Sequence, residues 1–212
     1  MDVVIAGGHG QIALHLERLL ADSGHRVRAL IRQRDQDSDV REAGAEPLIC
    51  DLEQEDDLSH YVQGATAVVF AAGAGPGSGP ERKQTVDLGG ALKLIDACHR
   101  TGVKRYVIVS SIGADDPSAG GSMQPYLEAK AEADRRLADS GLDYTIVRPG
   151  RLTNDPGTGQ VLVTTDMSAR GEIPREDVAR VIAACLGDDT SIGKTFVLVS
   201  GHTAADEAVA AL

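Results

Sequence analysis

The beginning of the chain constrains its fold more than any other stretch. Residues 3–6 are an apolar, β-branched run typical of a buried strand, and a cluster of glycines follows at once. The glycines can be read as Gly7-x-x-Gly10-x-x-Ala13 or as Gly8-x-Gly10-x-x-Ala13, and an amphipathic helical pattern begins directly afterwards. A strand, a tight turn and a helix in this order are the context that a dinucleotide-binding fingerprint requires.

Each position of this fingerprint has its own physical reason. Glycine can adopt the positive φ of the turn, and a second glycine lets the backbone approach a pyrophosphate closely. The small Ala13 allows the helix to pack tightly on the strand. Gln11 and Ile12 then lie at the positive end of the helix, where free N–H groups bind phosphate. The alternative interpretation is an ordinary strand-to-helix loop.

Composition excludes several classes of partner. The net charge of the 212 residues is −11, and aromatic residues make up only 3% of the chain, with no tryptophan. Nucleic acid is therefore not an expected partner, because it calls for a basic face and stacking rings. The three cysteines are widely separated in apolar runs, which is typical of a reducing compartment. The six histidines show no metal-ligand spacing, so we expect no metal.

We expect a cytoplasmic protein that does not insert into membranes. Asp2 stands where a signal peptide would begin with basic residues, and no apolar run approaches the roughly 20 residues that a membrane helix needs.

Strand-like runs alternate with helical patterns along the whole chain, which predicts an α/β fold with helices on both faces of a doubly wound, Rossmann-type parallel sheet. We expect one domain over residues 1–212, in which 151–212 form a small substrate-side appendage. The predicted helices span about 10–23, 37–43, 54–63, 81–101, 125–139, 174–186 and 203–211. The predicted strands span 3–6, 25–31, 46–50, 66–71, 105–110, 143–148, 161–163 and 196–199.

The fourth predicted strand ends in Ala71, Ala72 and Gly73, and a loop rich in glycine and proline continues to Pro80. Ligands bind at the carboxyl ends of strands in open α/β sheets, so we expect these three residues to contact the cofactor. Two interpretations of loop 73–80 stay open. It is either a mobile flap over the cofactor or a slack surface connection.

The end of the second strand indicates which dinucleotide binds. Proteins specific for NAD carry an acidic residue there, but this chain has Arg32 and Arg34, which suit the 2′-phosphate of NADP. The alternative is a solvated basic turn. After the third strand, Asp51 and Leu52 are candidates to contact the adenine, and Asp51 is also a candidate helix cap.

Further along the chain a family becomes recognisable. The motifs are the fingerprint glycines, Ala71-Ala72-Gly73, Ser110-Ser111, Tyr126-x-x-x-Lys130 and Arg148-Pro149-Gly150, all in order. Together they resemble the short-chain dehydrogenase/reductase superfamily, and the stretches around them resemble its atypical, epimerase/dehydratase-like NAD(P)-binding branch.

The resemblance implies the roles of the reacting groups. Tyr126 would exchange a proton with a substrate oxygen, Lys130 would assist it and bind the nicotinamide ribose, and Ser111 would hold the substrate oxygen, with Ser110 as the competing candidate. Pro149 and Gly150 would lie beside the nicotinamide. The residues themselves agree, since Tyr126 and Lys130 share one helix face and a cation favours the phenolate. The alternative is a packed ring beside a solvated ammonium.

One position departs from the superfamily pattern. Asp87 stands where an asparagine commonly completes the catalytic set, and it is either a substitute or purely structural.

The leading hypothesis is an NADP-dependent oxidoreductase for a small carbonyl or hydroxyl substrate, acting as a monomer or homodimer. The alternatives are a non-catalytic NADP(H)-binding sensor or scaffold and an epimerase or dehydratase.

Overall fold

A computed structural model describes residues 1–75 and 77–212, so Pro76, within loop 73–80, lies outside the described residues. Its strands are β1 (Asp2–Ala6), β2 (Arg26–Ile31), β3 (Glu46–Ile49), β4 (Ala67–Phe70), β5 (Arg105–Val109), β6 (Asp143–Pro149), β7 (Arg151–Thr153), β8 (Gln160–Thr164), β9 (Glu172–Pro174), β10 (Lys194–Ser200) and β11 (Thr203–Ala204). Its helices are α1 (Gln11–Asp22), α2 (Asp37–Glu42), α3 (Ser59–Val62), α4 (Pro80–Arg82), α5 (Ala91–Thr101), α6 (Gln124–Ala138), α7 (Arg175–Gly187) and α8 (Ala205–Ala210). A π-helical segment, Lys83–Gly90, joins α4 to α5.

The main sheet has the strand order β3-β2-β1-β4-β5-β6-β10-β8-β11. The strands from β3 to β10 are parallel, whereas β8 and β11 add an antiparallel edge. The strand order reverses between β1 and β4, which is the position where open α/β sheets bind ligands. The predicted Rossmann-type fold is thereby confirmed.

Helices cover both faces of this sheet, as the continuous apolar strands require. One core cluster buries the apolar stripes of α1, α2, α7 and α8, and the other buries those of α3, α5 and α6. Residues 151–212 contribute to this core, because β10 pairs with β6 and α7 packs on α1. The separate β7–β9 pair belongs to the same part of the chain.

Two predicted helices are wrong in detail. The helix expected over 54–63 is reduced to α3, because two aspartates redirect the backbone: Asp51 Oδ1 accepts from Glu53 N at 3.0 Å, and Asp57 Oδ1 accepts from Ser59 N at 2.9 Å. The helix expected over 81–101 is continuous, but its first half is π-helical.

In the part of the chain that the structure describes, none of the helices combines the length and apolar character needed to cross a bilayer.

Candidate functional site

The glycine turn after β1 has the geometry that its sequence predicts. Gly7 has a φ of +83°, and a Cβ there would lie 2.5 Å from the Ala72 Cα, so only glycine fits. Gly10 N–H donates to the Gly7 carbonyl at 2.9 Å and precedes α1. The first helical hydrogen bond of α1 runs from Leu14 N to the Gly10 carbonyl, so the N–H groups at the start of the helix are available to an anion.

Two cavities lie along the carboxyl edge of the sheet and share residues 71–74 as a common wall. The glycine-turn cavity, of about 330 Å³, lies between the turn and the ends of β2 and β3. The tyrosine cavity, of about 770 Å³, lies between the π-helical segment, the start of α6 and the β7–β9 pair. Through this shared wall the two cavities form one cleft, with the glycine turn in one part and Tyr126 in the other.

Most of the predicted cofactor-binding residues line these cavities. Those that line the glycine-turn cavity are Gly7, Gly10, Arg32, Asp51, Leu52, Ala71, Ala72 and Gly73. Those that line the tyrosine cavity are Ile12, Ala71, Ala72, Gly73, Tyr126, Lys130 and Gly150, together with the predicted catalytic Ser111. Gln11, Arg34 and Pro149 lie outside both linings as the described residues define them.

Charged side chains line the glycine-turn cavity. Arg32 is exposed on the loop after β2, where Gln36 Oε1 accepts from the backbone N–H groups of Arg32 and Gln33 at 3.1 Å each. Arg82, which the sequence analysis missed, lines the same cavity and donates from Nε to Glu53 Oε2 at 3.0 Å. No local sequence signal identifies Arg82, because it reaches the cavity from a helix well beyond the second strand.

Glu53 is held in place from two sides. Its Oε1 accepts a hydrogen bond from Thr85 Oγ1 at 2.7 Å. This bond is the larger and the contact with Arg82 the smaller of two interactions that keep the pKa of Glu53 below its ordinary value. His9, in the glycine turn, contacts Asp39 Oδ2 through Nε2 at 2.8 Å, so its ring is tied to α2.

Tyr126 and Lys130 lie one turn apart on α6 and face the same cavity, as their spacing predicts. The Lys130 Nζ lies 5.8 Å from the centre of the Tyr126 ring, and the Lys83 Nζ lies 5.3 Å from the same centre. Both ammonium groups therefore lie within cation–π distance of the phenol ring.

Lys130 is almost completely buried and is paired with a carboxylate. Its Nζ donates to the Val109 carbonyl at 3.0 Å and lies 3.2 Å from Asp87 Oδ1. Burial alone would lower the pKa of Lys130, but the charges of Tyr126 and Asp87 outweigh it and raise that pKa. Lys130 is thus a fixed cation and not a solvated ammonium.

Asp87 connects this lysine to the glycine-rich loop. Its Oδ2 accepts from the Ala74 backbone N–H at 3.0 Å, and Lys83, one turn earlier, donates from Nζ to the Gly75 carbonyl at 2.9 Å. Both residues belong to the π-helical segment, a rare conformation that is frequent at functional sites. The first part of the loop is therefore held by side chains and is not a slack connection.

The two serines after β5 differ in their surroundings. Ser110 is buried, and its Oγ donates at 2.8 Å to Asp134 Oδ2, which also accepts from Arg148 Nε at 3.0 Å. Burial raises the pKa of Asp134 although Arg148 and Ser110 both stabilise its charge. Ser111 is half-buried, and its Oγ donates to the Ile112 carbonyl at 3.0 Å at the wall of the tyrosine cavity. Both serines line the tyrosine cavity, but the Ser110 hydroxyl is bonded to Asp134, and Ser111 is the more exposed of the two.

Comparison with known proteins agrees with this geometry. A family model described as NAD(P)H-binding matches residues 7–189. The chain belongs to the NAD(P)H-binding family. It is 38% identical over 212 residues to the "Uncharacterized sugar epimerase YhfK" of Bacillus subtilis (strain 168), and the match covers 99% of each chain.

Solved structures of NAD-dependent epimerase/dehydratase-like proteins are also similar to this chain. The "Putative NAD-dependent epimerase/dehydratase" of Bacillus halodurans is 41% identical, with a TM-score of 0.95 and complete coverage of both chains. A short-chain dehydrogenase/reductase of Veillonella parvula, solved in complex with NADP, has a TM-score of 0.75 at 20% identity and covers 94% of each chain, so it is similar in fold. The predicted resemblance to the epimerase/dehydratase-like branch of that superfamily is confirmed.

Proposed function

We propose that this member of the NAD(P)H-binding family is an NADP-dependent oxidoreductase for a small carbonyl or hydroxyl substrate, with Tyr126 as its acid and base. The observation that carries the proposal is the convergence of Tyr126, Lys130 and Ser111 on one cavity that continues into the glycine-turn cavity. A buried, charge-paired lysine beside a cavity-lining phenol is costly to maintain, and such perturbed groups concentrate at functional sites.

The glycine-turn cavity fits the phosphates and adenosine of a dinucleotide. The free N–H groups of Gln11 and Ile12 at the start of α1 would hold the pyrophosphate, and Gly7 and Gly10, which have no side chain, would let it approach the turn. Arg32, aided by Arg34, would bind the 2′-phosphate. Asp51 and Leu52 would contact the adenine, Lys130 would bind the nicotinamide ribose, and Pro149 and Gly150 would lie beside the nicotinamide. The bound nicotinamide would supply or accept the hydride.

The side chains of the tyrosine cavity would manage the proton. The Ser111 hydroxyl would hold the substrate oxygen, and the Tyr126 hydroxyl would donate its proton to that oxygen as it gains negative charge. Lys130 would stabilise the phenolate that remains, because its charge is fixed by Asp87 at 3.2 Å and cannot turn away to solvent. Asp87 would thus serve as a positioning residue in place of the superfamily's asparagine.

The test is oxidation of NADPH against a panel of small carbonyl compounds. For any substrate turned over, Tyr126→Phe should lower kcat by about 100-fold or more, the usual contribution of a positioned acid, and should change the Kd for NADPH far less, because the ring that lines the cavity is kept. Tyr144→Phe is the matched control, since Tyr144 packs against the core away from the described cavity linings. Equal rates for wild type and Tyr126→Phe would contradict the role given to the phenol.

A second candidate is an epimerase or dehydratase that oxidises its substrate only transiently. The names of the Bacillus subtilis and Bacillus halodurans relatives favour it. Product formed without net consumption of cofactor would identify this activity and would still require Tyr126. A protein that binds NADPH tightly but turns over no substrate would instead be a sensor or scaffold.

A further inference from the structure

The tyrosine cavity carries more positive than negative charge. The charged side chains that line it in the described part of the chain are Lys83, Lys130, Arg175 and Asp87. Asp87 and Lys130 pair with one another, so Lys83 and Arg175 are left in excess. Since acidic residues outnumber Lys and Arg by 32 to 21 in this chain, a cavity with the opposite balance indicates selection for a negatively charged occupant.

Lys83 and Arg175 differ in how many of their N–H donors already form contacts within the protein. The Lys83 ammonium donates to the Gly75 carbonyl and lies over the Tyr126 ring, so it belongs to the proton-handling group. Arg175 donates from Nη1 to Asn154 Oδ1 at 2.6 Å, which orients the guanidinium. A guanidinium has five N–H donors, and among the described residues no carboxylate lies within ion-pair distance of this one.

The neighbouring carboxylates are committed elsewhere. Glu176 Oε2 accepts from Gly157 N at 2.9 Å, and Asp177 accepts from the backbone N–H groups of Thr158 and Gly159 at 2.9 and 2.8 Å. Both carboxylates therefore serve the loop before β8, although they follow Arg175 directly in the sequence. Arg175 keeps its charge uncompensated on the cavity wall.

The position of Arg175 is electrostatically unfavourable for the fold. It is the first residue of α7, where the helix presents its positive end and a cation costs free energy. It is also the only charged side chain that the described residues of 151–212 contribute to the lining of the tyrosine cavity, beside the apolar Leu152. A residue that breaks a local rule at the wall of a reactive cavity is best explained by binding.

We propose that Arg175 is the receptor for an anionic group on the substrate, a carboxylate or a phosphate, so that the substrate is an anionic carbonyl or hydroxyl compound. This inference rests on the proposed function, because it concerns the same cavity. The guanidinium would grip two oxygens of the anion, held in orientation by Asn154, while the carbonyl oxygen meets Ser111 and Tyr126. Arg175 does not line the glycine-turn cavity as the described residues define it.

The test compares acids with their uncharged esters on the NADPH-loaded protein. Benzoylformate, levulinate and para-formylbenzoate, which place the anion at different distances from the carbonyl, are each offered beside the methyl ester. Wild type should prefer the acid of at least one pair by about tenfold or more in kcat/KM, as expected for a charge-assisted bidentate contact. Arg175→Gln should remove this preference through KM, and Arg175→Lys should keep part of it.

Controls separate this role from folding and from cofactor binding. Arg175→Gln should bind NADPH with a Kd within about twofold of wild type and should melt at a similar temperature. Arg18→Gln, an exposed arginine of α1 outside the described cavity linings, should leave all ratios unchanged. Titration of the NADPH complex with benzoate and with methyl benzoate, followed by cofactor fluorescence, gives the same comparison without turnover.

Three results would overturn the inference and leave the proposed function intact. The first is no preference for the acid in either assay, and the second is a preference that survives in Arg175→Gln. The third is a loss of NADPH affinity in Arg175→Gln that is as large as the loss of affinity for the acid. The last result would assign Arg175 to the cofactor, because Ile12, at the start of α1, lines the same cavity as Arg175. A wild-type protein that binds no NADPH would overturn the proposed function together with the inference.

Discussion

The two cavities of the cleft use charge in opposite ways. In the glycine-turn cavity the candidate phosphate ligand, Arg32, is an exposed side chain on a loop. In the tyrosine cavity Lys130 and Asp87 are 3% and 0% exposed and belong to helical elements. Water compensates an exposed charge that loses its ligand, whereas a buried charge depends on its partner. We therefore expect substitutions in the glycine-turn cavity to change ligand affinity with little effect on stability. Substitutions at the buried pair of the tyrosine cavity should change the stability of the whole domain.

The largest effect should come from breaking the buried pair. Lys130→Met leaves Asp87 as an unpaired carboxylate in the core and should lower the free energy of unfolding by about 3–5 kcal/mol. Adding Asp87→Asn to Lys130→Met should recover part of that loss, because the buried charge is then removed. Urea denaturation of the single and double variants measures both values.

Lys93→Met is the matched control for this experiment. Lys93 also donates to a carbonyl, that of Leu52, at 2.9 Å, but it is only half-buried and has no carboxylate partner among the described residues. Its loss should cost less than about 1 kcal/mol. A similar cost for Lys93→Met and Lys130→Met would contradict the special contribution of the buried Lys130–Asp87 pair to stability.

Gly7→Ala should have the next largest effect. The new Cβ would combine a φ of +83° with a contact 2.5 Å from the Ala72 Cα, so the variant should lose about 2–3 kcal/mol of stability and most of its affinity for NADPH. Gly24→Ala separates the two causes, since Gly24 has a φ of +78° and open space around it. It should cost about 1 kcal/mol, with no change in NADPH affinity.

Arg32→Gln should change binding and leave stability unchanged. It should raise the Kd for NADPH by about tenfold, the value of a charge-assisted hydrogen bond to phosphate, and leave the Kd for NADH unaffected. The free energy of unfolding should change by less than about 0.5 kcal/mol, because the side chain is exposed. Arg34→Gln is the comparison variant. Arg34 lies outside the described lining of the cavity, so this change should raise the Kd for NADPH by less. Equal losses for both dinucleotides would assign Arg32 to another part of the cofactor.

A further effect, which depends on pH, concerns a buried carboxyl outside the described lining of either cavity. Burial raises the pKa of Glu17 on α1 from 4.5 to about 8, and neither of its oxygens has a hydrogen-bond partner among the described residues. Between those two pH values the folded protein keeps a proton that the unfolded chain releases, so stability falls as pH rises. Glu17→Gln should flatten this fall and raise the Tm by a few degrees near pH 8, with little change near pH 5. If the Tm of Glu17→Gln depends on pH as the Tm of wild type does, Glu17 is not the cause of the fall in stability.

Periodicity and spacing were sufficient for the fold and for the residues that act through local geometry. The glycine turn follows from the strand and helix beside it, and Tyr126 and Lys130 share a helix face because they are four residues apart. The partners of those residues come from distant segments: Asp134 meets Ser110 and Arg148 only after α6 packs beside β5 and β6. Sequence spacing carries no information on such contacts.

The helix between Pro80 and Thr101 shows a second limit. An α-helix and a π-helix present nearly the same alternation of apolar and polar residues over one or two turns, so the pattern predicted a helix without its type. Arg82 was missed for a related reason, since its contact with Glu53 depends on how this helix enters after the loop.

The π-helical segment also has a consequence for how this protein can vary. A π-helix closes i→i+5 hydrogen bonds where an α-helix closes i→i+4, so deleting one residue within 83–90 would shift part of the segment toward α-helix and would turn everything before it relative to α5. Lys83 would then rotate away from the Tyr126 ring, whose centre lies 5.3 Å from its Nζ, although Lys83 itself is retained. Here the number of residues is under tighter constraint than their chemical identity.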